Sequence, residues 1–572
     1  MLCDMGNQLE VKHSQSQNSP TSDVHTQLYG STEWMKRIDD EVVKDLINFE
    51  VNDSIGTLKY ESTWAGCLRF IRNIDQHWQN KPRPHLSQYV KQGNYKKYFL
   101  QVFPELPLLV HKVIRSNGMK STPDLEEHFA KLQLKEWKYF DQSIKHKEMF
   151  LKLIKYGRDP DIKVTCVNDV RVIFSDEFCI GRGSDGTRVY LGLSKDGYGK
   201  VVKRVRRNNR AKEAENEMKI LNEFNAKKSR YVVNCYNLEE ETGTEYDYLI
   251  LDLCEESLDS LVNSSTLENL QKSLPEILEQ ILKGLANLHS EPNPILHRDL
   301  KPSNVLRDAH GQYLIADFGI SRILHNDLKT YVSDGTKGTR DWMAPESYEL
   351  DDTALYKPES DVMNAGMVAY YVATKGKHPF GPPEYRLENL LDGNPVGLMD
   401  IDDVVLKDLL LWMLQHSPED RPSAKEALIH PYLLSQEKKF SMLCDMGKQL
   451  ETKQSLGHSS PNSNVVAQLY AYMEWMTRID DEVLKDFTTF KKNGKKITVT
   501  YEPTWARCLR FIRGVNEHWN DKPRTRLLRY VKEGNYVDYF LQRFPEMPLL
   551  VHKIIRSTDL KTRPDLQKHF TA

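Results

Sequence analysis

His297-Arg298-Asp299-Leu300-Lys301-Pro302-Ser303-Asn304, followed by Asp317-Phe318-Gly319, is the stretch that decides the fold. One short loop carries a carboxylate (Asp299), an ammonium (Lys301) and a carboxamide (Asn304), and a second carboxylate, Asp317, lies just beyond it. Asn304 and Asp317 are oxygen donors suited to a hard cation such as Mg2+. Asp299 can orient a hydroxyl and take its proton, and Lys301 can face a phosphate. Upstream, Gly181-Arg182-Gly183-Ser184-Asp185-Gly186 lies between the strand-like runs Val172-Ile173-Phe174 and Arg188-Val189-Tyr190-Leu191. Glycines there let the backbone fold over phosphates. Lys203 follows at the distance needed to hold the α- and β-phosphates, with Glu217 on the next helical segment to fix it. Ala344-Pro345-Glu346, Asp361 and Arg421 complete the series.

In this order the pieces resemble the protein kinases. The resemblance implies an α+β two-lobed protein kinase fold over residues 168–434, with ATP and Mg2+ as cofactors. Gly181, Gly183, Gly186, Val189, Lys203, Glu217, Asp252, Cys254, Asn304 and Asp317 form the expected nucleotide site. Asn304 and Asp317 are the expected metal ligands, and Asp299 and Lys301 the catalytic pair. Arg298 beside the base suggests control by a phosphate on Ser321, Thr330, Ser333, Thr336 or Thr339.

An internal repeat brackets this region. Residues 1–130 match residues 442–571 without a gap, roughly 60% of positions being identical. Met1-Leu2-Cys3-Asp4-Met5-Gly6 recurs as Met442-Leu443-Cys444-Asp445-Met446-Gly447, and Phe103-Pro104-Glu105 as Phe544-Pro545-Glu546. A duplicated domain follows. Apolar spacing predicts helices over 38–49, 63–78 and 106–114. The stretches 52–57 and 492–496 read as turns. Residues 14–22 and 455–463, rich in Ser and Asn, read as loops, and the Lys-rich segment 131–167 as a solvated helix and linker. Met1 falls inside what the second copy shows as a longer helix, so a kinase ahead of the first copy in a longer product is expected.

A kinase running directly into 436–571 resembles the inositol-requiring kinase–endoribonucleases and RNase L, in which a helical kinase-extension nuclease (KEN) domain follows the kinase. The matching residues are Leu68-Arg69-Phe70-Ile71-Arg72-Asn73, His77, Tyr98-Phe99 and Phe103-Pro104, with Leu509-Arg510-Phe511-Ile512-Arg513, His518, Tyr539-Phe540 and Phe544-Pro545 in the second copy. The resemblance implies two mostly α-helical KEN-like domains, 1–131 and 435–572, flanking a 132–167 linker and the kinase. It implies metal-independent RNA cleavage by attack of the 2′-hydroxyl on its own phosphate, promoted by nucleotide binding. His77 and His518 are then general acids, Tyr60 and Tyr501 bases, and Arg72, Asn73 and Arg513 phosphate holders. RNA is the expected substrate, and the chain pairs with itself, as a homodimer or through its own two copies. Both copies depart from the family: an acidic residue expected six before the arginine is Gly66 or Arg507, and Gly514 stands where the first copy has Asn73. The alternative is a signalling kinase or nucleotide-sensing scaffold whose repeats only mediate interactions.

Composition agrees with ordinary globular domains, at 39% hydrophobic and 28% charged residues. The net charge of -2 excludes a general polyanion binder, and DNA is not an expected partner. That average hides a difference: residues 1–130 balance to -1, with 15 Lys/Arg and 16 Asp/Glu, and residues 442–572 to +7, with 22 and 15. The basic copy should attract RNA better, so the second copy is expected to bind and the first to cut. Eight scattered cysteines form no Cys-x-x-Cys pair, which fits a reducing, cytoplasmic setting. No apolar run approaches the ~20 residues of a membrane span.

Overall fold

The computed structural model describes residues 34–38, 48–51, 54–57, 63–77, 98–99, 102–103, 106, 143–157, 159, 161–183, 186–240, 245–324, 328–333, 335–348, 353–450, 463–492 and 495–570. The chain divides into two compact units: residues 1–140 with 194–198, and 141–193 with 199–572.

In the first unit, helix Trp64–His77 forms where the apolar spacing places it. Its buried face packs Phe70 against Trp34 at 5.1 Å, and Phe99 stacks on Phe103. Strands Asn48–Val51 and Ser54–Thr57 pair antiparallel. Residues 48–49, expected at the end of a helix, and 54–57, expected in a turn, are therefore strand, and 39–47 and 52–53 lie outside the described residues. The 14–22 loop lies outside the described residues.

In the second unit a curled antiparallel sheet forms the first lobe. Its order is Thr165–Val167, Val170–Val172, Arg188–Ser194, Gly199–Arg206, Tyr246–Asp252, Cys235–Glu240, with Cys179–Arg182 added beside Arg188–Ser194. The Gly181–Gly186 stretch spans the return between those last two strands, and Gly186 takes φ +81°, which favours glycine. One helix, Arg207–Asn222, crosses this sheet and carries Glu217. The helical lobe is built on Leu267–Leu288, whose buried residues include Leu270, Leu274, Ile277, Leu278, Ile281 and Leu285 at helical spacing. Each contributes about 2 kcal/mol of burial. Pro358–Ala373, apolar around most of its circumference, is buried beside it.

The 131–167 segment differs from a solvated linker. Helix Lys147–Tyr156 buries Phe150 and Leu153 and keeps its lysines outside. Ahead of it, His146 Nε2 lies 3.2 Å from the carbonyl oxygen of Cys254. Thr165–Val167 is already part of the first-lobe sheet.

The kinase runs into the second copy through helix Gln436–Gln449, which buries Phe440, Met442, Leu443 and Met446. It lies against helix Trp505–His518, the helix equivalent to Trp64–His77. A Cβ at Gly447 would stand 2.6 Å from the carbonyl oxygen of Leu509, so the close approach requires glycine. Strands Thr489–Lys492 and Lys495–Thr498 pair as a hairpin where a turn was expected. Residues 455–462 lie outside the described residues, and Ser463 opens helix Ser463–Tyr470.

A buried polar seam joins the kinase to this copy. Asp408 of the helical lobe accepts from His430 Nε2 at 3.2 Å and pairs with Lys553 at 3.0 Å and Arg556 at 2.9 Å. The rings of His430 and His552 meet edge-on at 4.8 Å, with Trp412 beside them. Burial, reinforced by His430 and Arg556, holds His552 well below the ordinary histidine range. Burial also lowers His430, against its bond to Asp408. For Asp408, burial opposes ionisation, but His430, Arg556 and Lys553 outweigh it and keep the carboxyl ionised.

Two outcomes follow for stability. Asp408→Asn strands its cations and should destabilise the seam by about 3 kcal/mol, the low end for a buried pair because Lys553 keeps contact with water. Thermal melts should then show the nuclease unfolding ahead of the kinase. Histidines that stay neutral when folded but protonate below about 6.5 when unfolded give stability that is complete above that value and lost as pH falls. Denaturant midpoints should drop as pH falls from 7 to 5, and His552→Phe should flatten the drop.

Candidate functional site

The kinase site assembles at the junction of the two lobes. Lys203 lies on the central strand, and its Nζ reaches Glu217 Oε2 at 2.7 Å and Asp317 Oδ1 at 2.9 Å. Burial works against its ammonium, but the two carboxylates more than reverse this and raise its pKa. Asp317 is lowered, chiefly by Lys203. Glu217, fully enclosed, is raised by burial, which Lys203 only partly offsets. Phe318 is completely buried and meets His297 edge-on at 4.8 Å. Asp317 takes φ +68° and Arg298 φ +71°, both left-handed. Buried Asp361 holds the second of these by accepting from the backbone N–H groups of His297 (2.8 Å) and Arg298 (2.9 Å).

Asp299 is surrounded by donors. Lys301 Nζ lies 2.8 Å from Oδ2, and Asn304 Nδ2 donates to the same oxygen at 3.0 Å. Thr339 donates to Oδ1 through both its N–H (2.9 Å) and its hydroxyl (2.7 Å). Asn304 spends its amide nitrogen on Asp299, and Asp317 spends Oδ1 on Lys203. That leaves the Asn304 amide oxygen and Asp317 Oδ2 as the oxygens these two residues could offer a hard cation such as Mg2+.

The phosphate loop and adenine edge follow the same logic. A Cβ at Gly181 would meet Val189 at 3.3 Å, and one at Gly183 would meet Thr187 at 3.2 Å, so a side chain at either would press on its neighbour. The Asp252 carboxylate is taken up by Tyr236 Oη (2.6 Å) and Asn234 Nδ2 (2.7 Å), which leaves only its backbone for a nucleotide. The Cys254 thiol is buried and pushed far up by that burial. Arg421 clamps Glu346 with two bonds of 2.6 and 2.8 Å.

Of the five phosphorylation candidates, Ser321 is fully buried and donates to the His297 carbonyl, and Ser333 is buried. Thr339 is held by Asp299 and Lys301. Thr330 is half-buried and Thr336 exposed. Arg298 is buried, stacked on Tyr356 at 3.9 Å, and its Nε and Nη2 have no hydrogen-bond partner among the described residues.

In the second copy, the Tyr501 ring packs edge-on to Trp475 at 5.8 Å and Phe511 at 5.6 Å. Arg513 and His518 lie on helix Trp505–His518, each beside a carboxylate. Arg513 Nε donates to Glu517 Oε1 at 2.9 Å, and His518 Nδ1 stands 2.9 Å from Asp521 Oδ2. A Cβ at Gly514 would meet nothing within 4 Å. Arg507, where the family carries an acid, pairs with Glu502 at 3.0 Å. In the first copy Arg72, Asn73 and His77 lie on helix Trp64–His77, and Asn73 and His77, four apart, share a face. Tyr60 lies outside the described residues. The first copy has Gln76 and Asn80 where the second has Glu517 and Asp521.

Fold and site define a protein kinase. The protein kinase domain family matches residues 174–433, and the family described as ribonuclease 2-5A matches both 1–132 and 439–570. The serine/threonine-protein kinase/endoribonuclease IRE2 of Homo sapiens is 31% identical over 407 residues, covering 68% of this chain and 41% of the relative. The serine/threonine-protein kinase/endoribonuclease ire-1 of Caenorhabditis elegans is 30% identical over 397 residues, covering 67% and 39%. The chain belongs to this kinase–endoribonuclease family, with the ribonuclease domain present twice. It spans about two fifths of the length of these curated relatives. Among the described residues no helix is long and apolar enough to cross a membrane.

Sequence reasoning missed Asn216. Its Nδ2 lies within hydrogen-bond reach of three carbonyl oxygens, those of Phe318 (3.2 Å), Gly319 (3.0 Å) and Ser321 (3.1 Å). It ties the helix that carries Glu217 to the segment that carries Asp317. Asn216→Asp keeps the shape and loses the donor. At about 1 kcal/mol per bond and two bonds lost, the segment should detach roughly 30-fold more often. Phosphotransfer should fall by about tenfold or more, and hydrogen exchange over 317–322 should quicken.

Proposed function

We propose that the chain is an autophosphorylating serine/threonine kinase coupled to a metal-independent endoribonuclease, in which nucleotide binding favours the assembled nuclease. The observation that carries this reading is the Lys203 cluster, which closes the kinase site, in one compact unit with a nuclease domain joined through helix Gln436–Gln449 and the Asp408 seam.

ATP, when bound, supplies the γ-phosphoryl group, and Mg2+ offsets its charge. Asn304 and Asp317 would hold the metal, and Lys203 the phosphates. Asp299 accepts the proton of the acceptor hydroxyl. Its bonds to Lys301, Asn304 and Thr339 keep it aimed. Thr330 and Thr336 are the sites for self-modification, and the two unpartnered nitrogens of Arg298 suit a phosphate on that segment.

For RNA, cleavage needs a base for the 2′-hydroxyl, an acid for the leaving 5′-oxygen and cations on the phosphorane. The first copy keeps Tyr60, Arg72, Asn73 and His77 together, with amides at positions 76 and 80. The second keeps Tyr501, Arg513 and His518, but Glu517 pairs with Arg513, Asp521 lies against His518, and the asparagine is absent. That pairing favours a division of labour in which the first copy cuts and the second binds.

A labelled stem-loop RNA should be cut in EDTA and faster with ADP or ATP and Mg2+, leaving a 2′,3′-cyclic phosphate. His77→Ala should lower cutting by at least about 100-fold, and His518→Ala should change it little. Loss of all cutting on His518→Ala alone would refute the division, and no cutting under any condition would leave a kinase with two interaction domains. In a His77→Ala background, Gly514→Asn with Glu517→Gln and Asp521→Asn should restore cutting. The open space at Gly514 admits the amide, and the two carboxylates no longer compete for the cations.

A further inference from the structure

The nucleotide slot is braced by a stretch that lies outside the kinase motifs. The match to the kinase family begins at residue 174, yet Ser143 and His146, well ahead of it, are buried. The helix that follows, Lys147–Tyr156, is seated by Phe150 and Leu153, both fully buried. On this helix the Tyr156 ring meets Phe178 edge-on at 5.9 Å, and Lys152 pairs with Glu177 at 2.9 Å. Phe178 is itself fully buried and directly precedes strand Cys179–Arg182, which carries Gly181. One short segment therefore touches the root of the glycine-rich strand at one end and the crossover between the lobes at the other.

Cys254 and Glu255 lie in that crossover, after strand Tyr246–Asp252 of the first lobe and before strand Glu256–Ser257, which pairs with Val305–Arg307 of the second. Three bonds fix its geometry. His146 Nε2 donates to the Cys254 carbonyl oxygen at 3.2 Å. The backbone N–H of Lys145 donates to Glu255 Oε2 at 2.8 Å, and the Glu255 N–H donates to the Arg307 carbonyl at 2.7 Å. A carbonyl only accepts, so His146 Nε2 carries the hydrogen, in the neutral ring as in the protonated one.

The peptide unit between Cys254 and Glu255 is thus held at both its oxygen and its hydrogen. That unit cannot rotate without breaking one bond or the other. The N–H of Cys254, one peptide back, has no hydrogen-bond partner among the described residues. The Cys254 thiol is buried, so this N–H is the donor the residue has left to offer a nucleotide. A backbone donor without a partner in a buried residue costs free energy until a ligand meets it.

We infer that His146, from the stretch that follows the first copy in the sequence, is a positioning residue for the nucleotide: by holding the Cys254 carbonyl it aims the Cys254 N–H at the acceptor nitrogen of an adenine ring. This role rests on the reading that the kinase site takes ATP, and it puts one determinant of nucleotide affinity outside the kinase motifs. A brace is favoured over a plug because the atom His146 occupies is the Cys254 carbonyl, not its N–H.

Binding without turnover tests this. Calorimetric titration of the full chain, with Mg2+ present, gives Kd for ADP and for 1-deaza-ADP, whose ring has C–H in place of the acceptor N1. The parent should bind ADP about tenfold more tightly than the analogue. His146→Leu should weaken ADP about fivefold and bring the ratio of the two down to about twofold, since a donor no longer aimed discriminates less. His146→Gln, which puts an amide N–H near the place of Nε2, should restore both. In the free His146→Leu protein the backbone over 253–257 should exchange hydrogen faster, because the peptide is then held from one side only. His146→Phe keeps the ring and loses the donor, and serves if the leucine variant does not fold. Equal weakening of both nucleotides at an unchanged ratio overturns the positioning role and leaves His146 as packing. Tighter ADP binding in the variant overturns it in favour of a segment that obstructs the slot. A parent that binds ADP and the analogue alike, or a His146→Leu protein that binds both as the parent does, overturns the role alone. A parent that binds neither nucleotide overturns the role together with the ATP reading.

Discussion

Lys203 holds the catalytic arrangement together because two carboxylates from different parts of the fold share its one ammonium. Glu217 comes from helix Arg207–Asn222 of the first lobe, and Asp317 from the segment entering the second. At these distances each attraction is on the order of 5 kcal/mol at an effective dielectric near 20, and the desolvation of Lys203 and Glu217 consumes much of it. The cluster is thus a constraint more than a reserve of stability. Rotating the helix away would leave Glu217 as a buried charge without its partner, so helix and segment move together. Asn216 adds a second tie one residue away, from the helix to the backbone beyond Asp317.

That constraint can matter to RNA chemistry only if the kinase and the second copy behave as one body. Helix Gln436–Gln449 supplies covalent continuity, and Gly447 lets it lie almost on the backbone of helix Trp505–His518. The Asp408 seam supplies the lateral contact. It is polar and buried, with two neutral histidines and a carboxylate that serves three partners. Such a seam tolerates little sliding, since any shift strands charge in a dry place. Packed elements thus run from the kinase helical lobe to the helix bearing Arg513 and His518, the physical form that coupling between two sites requires.

The kinase was legible because phosphotransfer fixes residue types at set spacings, and the protein kinase domain family matches residues 174–433, which hold those motifs. The repeat was legible as identity alone. Partners that meet only in three dimensions were not. Nothing in the chain announces that Asp408 will face Lys553, some 145 residues on, or that Asn216 will reach three carbonyls. The lysine-rich 131–167 segment read as solvated because its polar face outweighs a narrow stripe, Phe150 and Leu153. The hairpins read as turns because a Lys-rich or mixed stretch lacks the apolar alternation that marks a strand. One signal was present and went unused: Arg513 and Glu517 are four apart, the spacing at which helical charges pair.

A domain that both grips and cuts RNA faces opposed electrostatic demands. Cations at the reacting phosphate must be uncommitted, since a resident carboxylate takes up the charge the phosphorane needs. Cations that grip the backbone only need to be numerous, and their field is strongest when like charges crowd together. Duplication relaxes the conflict. The second copy carries four lysines, Lys491, Lys492, Lys495 and Lys496, within one hairpin, and its Glu517 and Asp521 stand beside Arg513 and His518. The first copy gives up the lysines and keeps amides at 76 and 80, so its Arg72 and His77 have no carboxylate at those positions. Two domains with one fold can in this way serve one substrate through different charges. In the second copy a Cβ at Gly514 would meet nothing within 4 Å, and Glu517 and Asp521 face solvent, so the backbone there is indifferent to what these positions carry.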